Sequence, residues 1–319
     1  MAWESGDLKI FTGNGCVELA HKVAAHLGLH VSEAIVDKWG NGEIRVQLCE
    51  NVRGADVFLF QSFGRSVNDR IMELLVMLDA ARRASAARIT CVIPYYPYAK
   101  QERKFRGREP ISARLVADLF VCAGAHRILT VDLHEGAIQG FFNVPVDHLP
   151  AYPVFANELQ KRGLAGEDVV IVAPDEGCVQ RAVDLSTRLG SDICIVFKRH
   201  PEISPESAET IEVVGQLEGK TAMILDDMIL SGSTLLNAAE MVLSRGAREV
   251  HACVTHPVLC QDAVERIAAS PIKELIVSDT IPLPEGKDVS KITVISLSDL
   301  IASAIDRIHR NTSVSELLA

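Results

Sequence analysis

The fold predicted for this sequence is α/β, two related halves each built on a doubly wound, mainly parallel sheet, and three observations predict it. Short apolar runs rich in β-branched residues alternate with longer amphipathic stretches along the chain. Several runs, among them DVFLF and VVIVA, lack a polar alternate residue, the pattern of a parallel sheet covered on both faces. The two halves also echo each other: CVIPYYPY then LTVDLHEG in the first, IVAPDEG then MILDDMILSG in the second. Each pair reads as a strand ending at proline, then a strand ending at aspartate with a glycine-containing turn.

Taken in order, the predicted buried strands are 56–61, 88–93, 127–131, 168–173, 193–197, 221–225, 249–255 and 274–277. Between them, 68–85 carries Ile71, Leu74, Leu75 and Leu78 at helical spacing. Residues 111–122 repeat that spacing with Leu115, Val116 and Leu119, and 234–245 does so again before Gly246, a glycine placed to end a helix. Prolines concentrate in VDHLPAYP, so the halves are expected to join around 147–152. That gives a first domain over 1–149 and a second over 150–297, with a last helix over 298–310, inside a tail of 298–319, that could pack on either domain.

The 319 residues correspond to about two domains, enough chain to bury a core without disulfides or metal staples. Thirty-two Lys and Arg against 42 Asp and Glu leave a net charge of −10, which argues against a nucleic-acid binder or an anionic-membrane binder. The eight cysteines form no CxxC pair and sit mostly in apolar runs, as reduced core thiols do. No run approaches the ~18 apolar residues of a membrane span, and the opening MAWESGD lacks a secretory leader's basic and apolar regions. A cytoplasmic protein is expected.

The sharpest local chemistry lies in ILDDMILSGST, 224–234. An apolar run ends in Asp226 and Asp227, and a small-residue turn opens directly into a helix. Backbone N–H groups at such a helix start suit a phosphate, and Ser231, Gly232, Ser233 and Thr234 bring hydroxyls and an unhindered backbone. The two acids can accept hydrogen bonds from vicinal sugar hydroxyls. Together they fit a sugar 5-phosphate, against the plainer reading of a strand–helix turn with a Ser or Thr cap. Neither G-x-x-x-x-G-K-[ST] nor G-x-G-x-x-G is present here.

With this segment, the sequence resembles the ribose-phosphate pyrophosphokinase family almost end to end. The resemblance includes ENVRGADVF (50–58), VIPYYPYAKQERK (92–104), REPISARLVADL (108–119), LTVDLHEGAIQGFFNVPVDHL (129–149), DDMI (226–229) and THPV (255–258). It implies two tandem phosphoribosyltransferase-like domains, the C-terminal helix returning to the first. It implies transfer of the β,γ-diphosphoryl group of ATP to O1 of ribose 5-phosphate, leaving AMP. The partners implied are ATP and ribose 5-phosphate, and the assembly a homo-oligomer built from dimers, hexameric or tetrameric.

Further roles follow from the same resemblance. His134 and Asp175, each at a strand end, resemble the family's magnesium contacts; Mg2+ keeps most of its shell as water and phosphate oxygens, so few protein ligands are needed. Nothing supplies the four thiol or imidazole ligands of a closed zinc site. Trp39, Asn41, Gly42 and Glu43 fall where the family contacts adenine, Trp replacing Phe, though a solvent-facing turn with an aromatic plug would look the same. Lys100 and Gln101 match the family's Arg-Gln at ATP; Lys neutralises phosphate but lacks the bidentate fork of Arg, and the plain alternative is a solvated charged face. Lys198 matches the Lys of the family's Lys-x-Arg, with Arg199 next and His200 in the Arg position, opening a polar run, PEISPESAET, expected to be a mobile catalytic loop.

Two departures bear on activity. Leu230 stands where the common DDMIDTAGT form has an acid, and Gly107 replaces the serine of the family's phosphate-effector segment, so weak control by phosphate or ADP is expected. The rival reading is a non-catalytic homologue that regulates or scaffolds an active synthetase, favoured by Leu230, His200 and Lys100 and opposed by His134, Asp175, Lys198 and the acid pair. A nucleobase phosphoribosyltransferase is a third reading, opposed by the full-length match.

Overall fold

The computed structural model describes residues 6–199 and 210–317, with side chains for 6–196 and 213–317. The chain divides into two compact units, one of residues 1–150, 279–282 and 296–319, the other of 151–278 and 283–295.

The first unit holds a five-stranded sheet, all parallel, in the order β1–β4–β5–β6–β7. These strands are β1 (Leu8–Thr12), β4 (Asp56–Phe60), β5 (Arg88–Ile93), β6 (Arg127–Val131) and β7 (Val146–Leu149). Every residue of β4 is buried, the outcome expected of an uninterrupted apolar run with helices on both faces. A separate antiparallel hairpin, β2 (Ala34–Lys38) with β3 (Ile44–Leu48), stands apart from that sheet.

Helices α1 (Val17–His26), α2 (Val67–Arg83) and α3 (Ser112–Ala123) flank this unit. The α2 face is as expected at Ile71, Leu74 and Leu78, but it also buries Glu73. The α3 face differs from the expected one. Ala113, Val116, Ala117 and Phe120 are inside, whereas Leu115 (58% exposed) and Leu119 (39%) face out. The inner stripe runs i, i+3, i+4, i+7 from Ala113, and its small residues let the helix sit close; leucine spacing alone pointed to the adjacent stripe.

Helix α8 (Ser298–His309) belongs to this first unit, packs on α1, and buries Ile301, Ala302, Ile305 and Ile308. Its end is fastened by polar contacts. The Arg88 guanidinium grips the carboxylate of Asp56 through two nitrogens and also donates to the Ile308 carbonyl (2.9 Å) and to Asn311 Oδ1 (3.0 Å), while His309 Nδ1 lies 2.9 Å from Asp56 Oδ2. Asp56 is 2% exposed, so losing Arg88 would leave a buried carboxylate with His309 as its remaining charged partner, a destabilising change.

The second unit holds a seven-stranded sheet in the order β10–β9–β8–β11–β12–β13–β14. Its strands are β8 (Val169–Ala173), β9 (Asp192–Arg199), β10 (Thr210–Val214), β11 (Thr221–Ile229), β12 (Glu249–Pro257), β13 (Glu274–Ser278) and β14 (Ile292–Ile295). All neighbours are parallel except β9 and β10. Alternate strand residues Val170, Val172, Ile224, Val250, Ala252 and Val254 share one core with α6 (Ser233–Ser244) and α7 (Ala263–Ala269). Helices α4 (Tyr152–Lys161) and α5 (Val179–Leu189) pack against each other elsewhere in the unit.

Two of the strands that run further than expected carry candidate site residues. β11 continues through both acids to Ile229, because β12 accompanies it from Thr221↔Glu249 to Ile229↔Pro257. β9 continues through Lys198 and Arg199, paired with Ile211 and Thr210 of β10. Lys198 and Arg199 are therefore strand residues, and not the opening of a loop. Antiparallel pairing with β10, which begins at the last residue of the run expected to be polar loop, overrides the local charge pattern. His200 and the run 201–209 lie outside the described residues.

Candidate active site

In the second unit the site is built at the ends of β8 and β11, adjacent parallel strands. The β11 core is fully buried up to Leu225; Asp226 is then half-buried and Asp227 is 2% exposed. After β8, exposed Asp175 starts a single 3-10 turn, its Oδ1 accepting the Cys178 N–H at 3.2 Å, and α5 follows directly. The Cys178 thiol donates to Asp226 Oδ1 (3.4 Å), which also accepts the Asp227 N–H (2.8 Å). Arg181 Nη1 stands 3.9 Å from Asp227 Oδ1.

Electrostatics at this strand end run against the acids. Burial first, then the Asp227 carboxylate and Asp175, push Asp226 well above the usual carboxylate range. Burial and the same three carboxylates push the Cys178 thiol far up, so it remains a protonated donor. Cys178, Asp226 and Asp227 present ligand atoms within 4.8 Å of one another, the grouping of metal-capable side chains found among the described residues. The two carboxylates are hard donors suited to a divalent cation that would relieve their repulsion; the protonated thiol is not.

Three residues beyond the acids the chain leaves the strand at Leu230, which is half-buried. Gly232 has φ +78°, a left-handed conformation that glycine adopts without a Cβ penalty, and it begins α6 with no side-chain cap. The N–H groups of Gly232, Ser233, Thr234 and Leu235 have no intrahelical acceptor, since the first α6 bond is Leu236 N–H to the Gly232 carbonyl (2.9 Å). Ser231 and Ser233 hydroxyls meet at 3.1 Å. The helix closes with Gly246 at φ +93°, its N–H on the Leu243 carbonyl and that of Ala247 on Val242, the paired bonds of a glycine stop.

The first unit carries the other residues. The β2–β3 turn holds Trp39, Asn41, Gly42 and Glu43: Trp39 N–H donates to the Glu43 carbonyl and Gly42 N–H to the Trp39 carbonyl, both 2.8 Å, and Gly42 has φ +91°. Asn41 Oδ1 accepts the Glu43 N–H (3.2 Å), so Asn41 shapes the turn itself. Trp39 is 54% exposed, with the Arg45 guanidinium 4.8 Å from its ring centre. Lys38, at the end of β2, pairs with Asp69 (2.6 Å). Asp69 in turn lines a cavity of about 530 Å³ with Ser66, Asn68, Tyr98 and Gln101. Gln101 accepts from the Ser112 hydroxyl (2.7 Å), and Lys100 beside it is exposed. His134, half-buried, follows β6 and buried Asp132, whose φ of +37° marks a forced turn.

Among the expected residues, the structure thus gathers Asp175, Asp226 and Asp227 at the neighbouring ends of β8 and β11, and Ser231 and Ser233 at one helix start, whereas of the expected nucleotide residues only Gln101 lines the cavity. Lys198 and Arg199 are placed by backbone only. Sequence reasoning missed Cys178, read as a core thiol, and Arg181 and Arg266, whose side chains reach the acids and the turn from separate helices; no spacing marks them.

Parallel sheets that end in adjacent acids and a glycine-opened helix define a phosphoribosyltransferase-like α/β protein. Residues 8–124 match the N-terminal domain of ribose phosphate pyrophosphokinase, and residues 192–319 the phosphoribosyl synthetase-associated domain. The ribose-phosphate pyrophosphokinase of Caldanaerobacter subterraneus subsp. tengcongensis is 50% identical over 317 residues, 99% of each chain. That of Oceanobacillus iheyensis is 47% identical over 316 residues, 99% of this chain and 98% of the relative. The crystal structure of phosphoribosylpyrophosphate synthetase from Mycobacterium smegmatis is similar at a TM-score of 0.89 and 41% identity, over 96% of this chain and 100% of that one. The chain belongs to the ribose-phosphate pyrophosphokinase family. Among the described residues no helix is long and apolar enough to cross a membrane.

Proposed function

We propose that this chain transfers the β,γ-diphosphoryl group of ATP to O1 of ribose 5-phosphate, giving 5-phospho-α-D-ribose 1-diphosphate and AMP. The carrying observation is the pairing of Asp226 and Asp227 at the end of β11 with an uncapped, glycine-opened α6. The free N–H groups of α6 and the Ser231, Ser233 and Thr234 hydroxyls hold the 5-phosphate, and the acids accept hydrogen bonds from the vicinal hydroxyls. So held, O1 forms its bond to the β-phosphorus as the bond from that phosphorus to the AMP oxygen breaks, and the O1 proton is lost. Such a transfer depends chiefly on positioning and charge. Lys198, with Arg199 and His200 beside it, supplies the positive charge for the transferring group.

Trp39, Asn41, Gly42, Glu43, Lys100 and Gln101 take the nucleotide, the indole stacking on adenine and Lys100 facing phosphate. Mg2+ is the metal this reading requires; His134 in the first unit and Asp175 in the second are each a candidate contact for it, and when bound it neutralises phosphate charge. The assembly is a homo-oligomer of dimers, hexameric or tetrameric, and the protein acts in the cytoplasm. Exposed Leu115 and Leu119 on α3 and Met72 on α2 offer apolar surface for such contacts.

Leu230 favours the second reading, a non-catalytic homologue, because no acid follows the DDMI segment. Purified protein with ATP, ribose 5-phosphate and varied Mg2+, with and without inorganic phosphate, decides between them. One AMP per phosphoribosyl diphosphate is expected. Neither product under any of these conditions selects the non-catalytic reading.

A further inference from the structure

Arg266 lies on α7, outside the DD-turn, yet its side chain ends on it. Nη1 donates to the Ser231 carbonyl at 2.9 Å and to Ser233 Oγ at 3.1 Å. Arg266 is half-buried, and among the described residues no carboxylate lies within ion-pair distance of it. Its neighbour Glu265 is instead paired with Lys287. A half-buried guanidinium without a counter-charge is disfavoured unless something anionic approaches.

The interaction completes a pattern. The Leu259 N–H holds the Ile229 carbonyl and the Cys260 N–H holds the Leu230 carbonyl, each at 2.9 Å; Arg266 then holds the next carbonyl, that of Ser231. Three successive carbonyls are thereby tied back by the segment after β12, where Leu259 (φ +48°) and Gln261 (φ +56°) both adopt left-handed conformations. The N–H groups that follow, from Gly232 to Leu235, are left for a ligand. A carbonyl turned into this turn would repel an anion; one held by a cation cannot turn.

We propose that Arg266 is the positioning residue and fixed cation of the phosphate subsite: it locks the Ser231 carbonyl and Ser233 hydroxyl in place and adds unneutralised positive charge behind the bound phosphate. This rests on the ribose 5-phosphate reading above.

The test uses the full chain with Arg266→Met and Arg266→Lys, varying ribose 5-phosphate and ATP separately. Arg266→Met removes a charge-assisted interaction that serves one substrate, which predicts a rise of about tenfold or more in KM for ribose 5-phosphate. KM for ATP stays within about twofold, and the dependence of ribose 5-phosphate KM on ionic strength flattens. Arg266→Lys keeps charge but not the planar guanidinium whose Nη1 bridges both acceptors, and falls between. In Arg266→Ala, added methylguanidinium restores part of the affinity, which a packing role would not allow. An unchanged ribose 5-phosphate KM in both Met and Lys variants, or an equal rise for both substrates, overturns the proposal. Wild-type protein that does not use ribose 5-phosphate at all overturns the parent reading instead.

Discussion

Replacing Asp226 by asparagine should make the ligand-free protein more stable while removing its activity. The substitution keeps an Oδ1 that accepts the Asp227 N–H, now 2.8 Å away, and the Cys178 thiol at 3.4 Å, so no buried donor is orphaned. What it removes is one of two adjacent carboxylates, beside an Asp227 that is 2% exposed and has Arg181 no nearer than 3.9 Å. Because burial and Asp227 raise Asp226, the folded chain retains a proton that the unfolded chain has already released. Stability therefore falls as pH rises from the ordinary carboxylate range, near 4, toward the raised value. Each pKa unit of that raise is worth about 1.4 kcal/mol, and water and Arg181 screen part of it, so a gain of about 1–3 kcal/mol at pH 8 is the expectation. That corresponds to roughly 2–9 °C in the unfolding midpoint for a chain of this class. The assay is thermal unfolding of both proteins in chelator at pH 4, 6 and 8, then with Mg2+. The gap between variant and wild type should widen with pH, and Mg2+ should raise the wild type more than the variant. A gap that stays flat or closes as pH rises refutes the reasoning.

Other outcomes are expected from single residues. Lys198→Ala should lower kcat about a hundredfold or more with little change in ribose 5-phosphate binding, since its charge matters most during transfer; steady-state kinetics read this, and an unchanged kcat removes Lys198 from that role. Gly232→Ala puts a Cβ 3.6 Å from Ile229, an ordinary van der Waals approach, so its cost is the left-handed backbone, about 1–2 kcal/mol, accompanied by weaker ribose 5-phosphate binding; calorimetry with that ligand and a thermal melt measure both. Glu50 is pulled down to about 2 by its bond to Lys9 (2.7 Å), helped by the Glu33 N–H. Its stabilisation is complete above about 4.5 and vanishes as pH falls toward 2, so Glu50→Gln should cost about 1 kcal/mol at pH 7 and nothing near pH 2 in urea titrations.

How much of this was legible in the chain depended on whether an interaction is local or comes from elsewhere in the fold. Buried parallel strands announce themselves because neither face meets water: 88–93 and 127–131 are β5 and β6 to the residue. Edge and hairpin strands did not. β2 and β3 mix charges with apolar residues, β14 is only four residues long, and their pairing is decided by partners the local pattern does not contain. The same distinction separates the parts of the site. Gly232, the serines and the acids are consecutive, so their chemistry can be read along the chain before any fold is known. Their protonation cannot: Asp226 is raised by Asp227 next to it, but also by burial and by Asp175 after another strand, and its thiol partner comes from the 3-10 turn before α5. Arg266 is the extreme case, 35 positions from the carbonyl it holds. α7 presents Ala263, Val264 and Ile267 to the core, an ordinary amphipathic stripe that says nothing about where the intervening arginine ends. Its destination is fixed by β12 running parallel to β11, which brings the start of α7 back beside the turn. A parallel sheet does this at each crossover, delivering the residues after one strand to the end of its neighbour, so side chains that complete a strand-end site arrive from distant connections with no shared spacing.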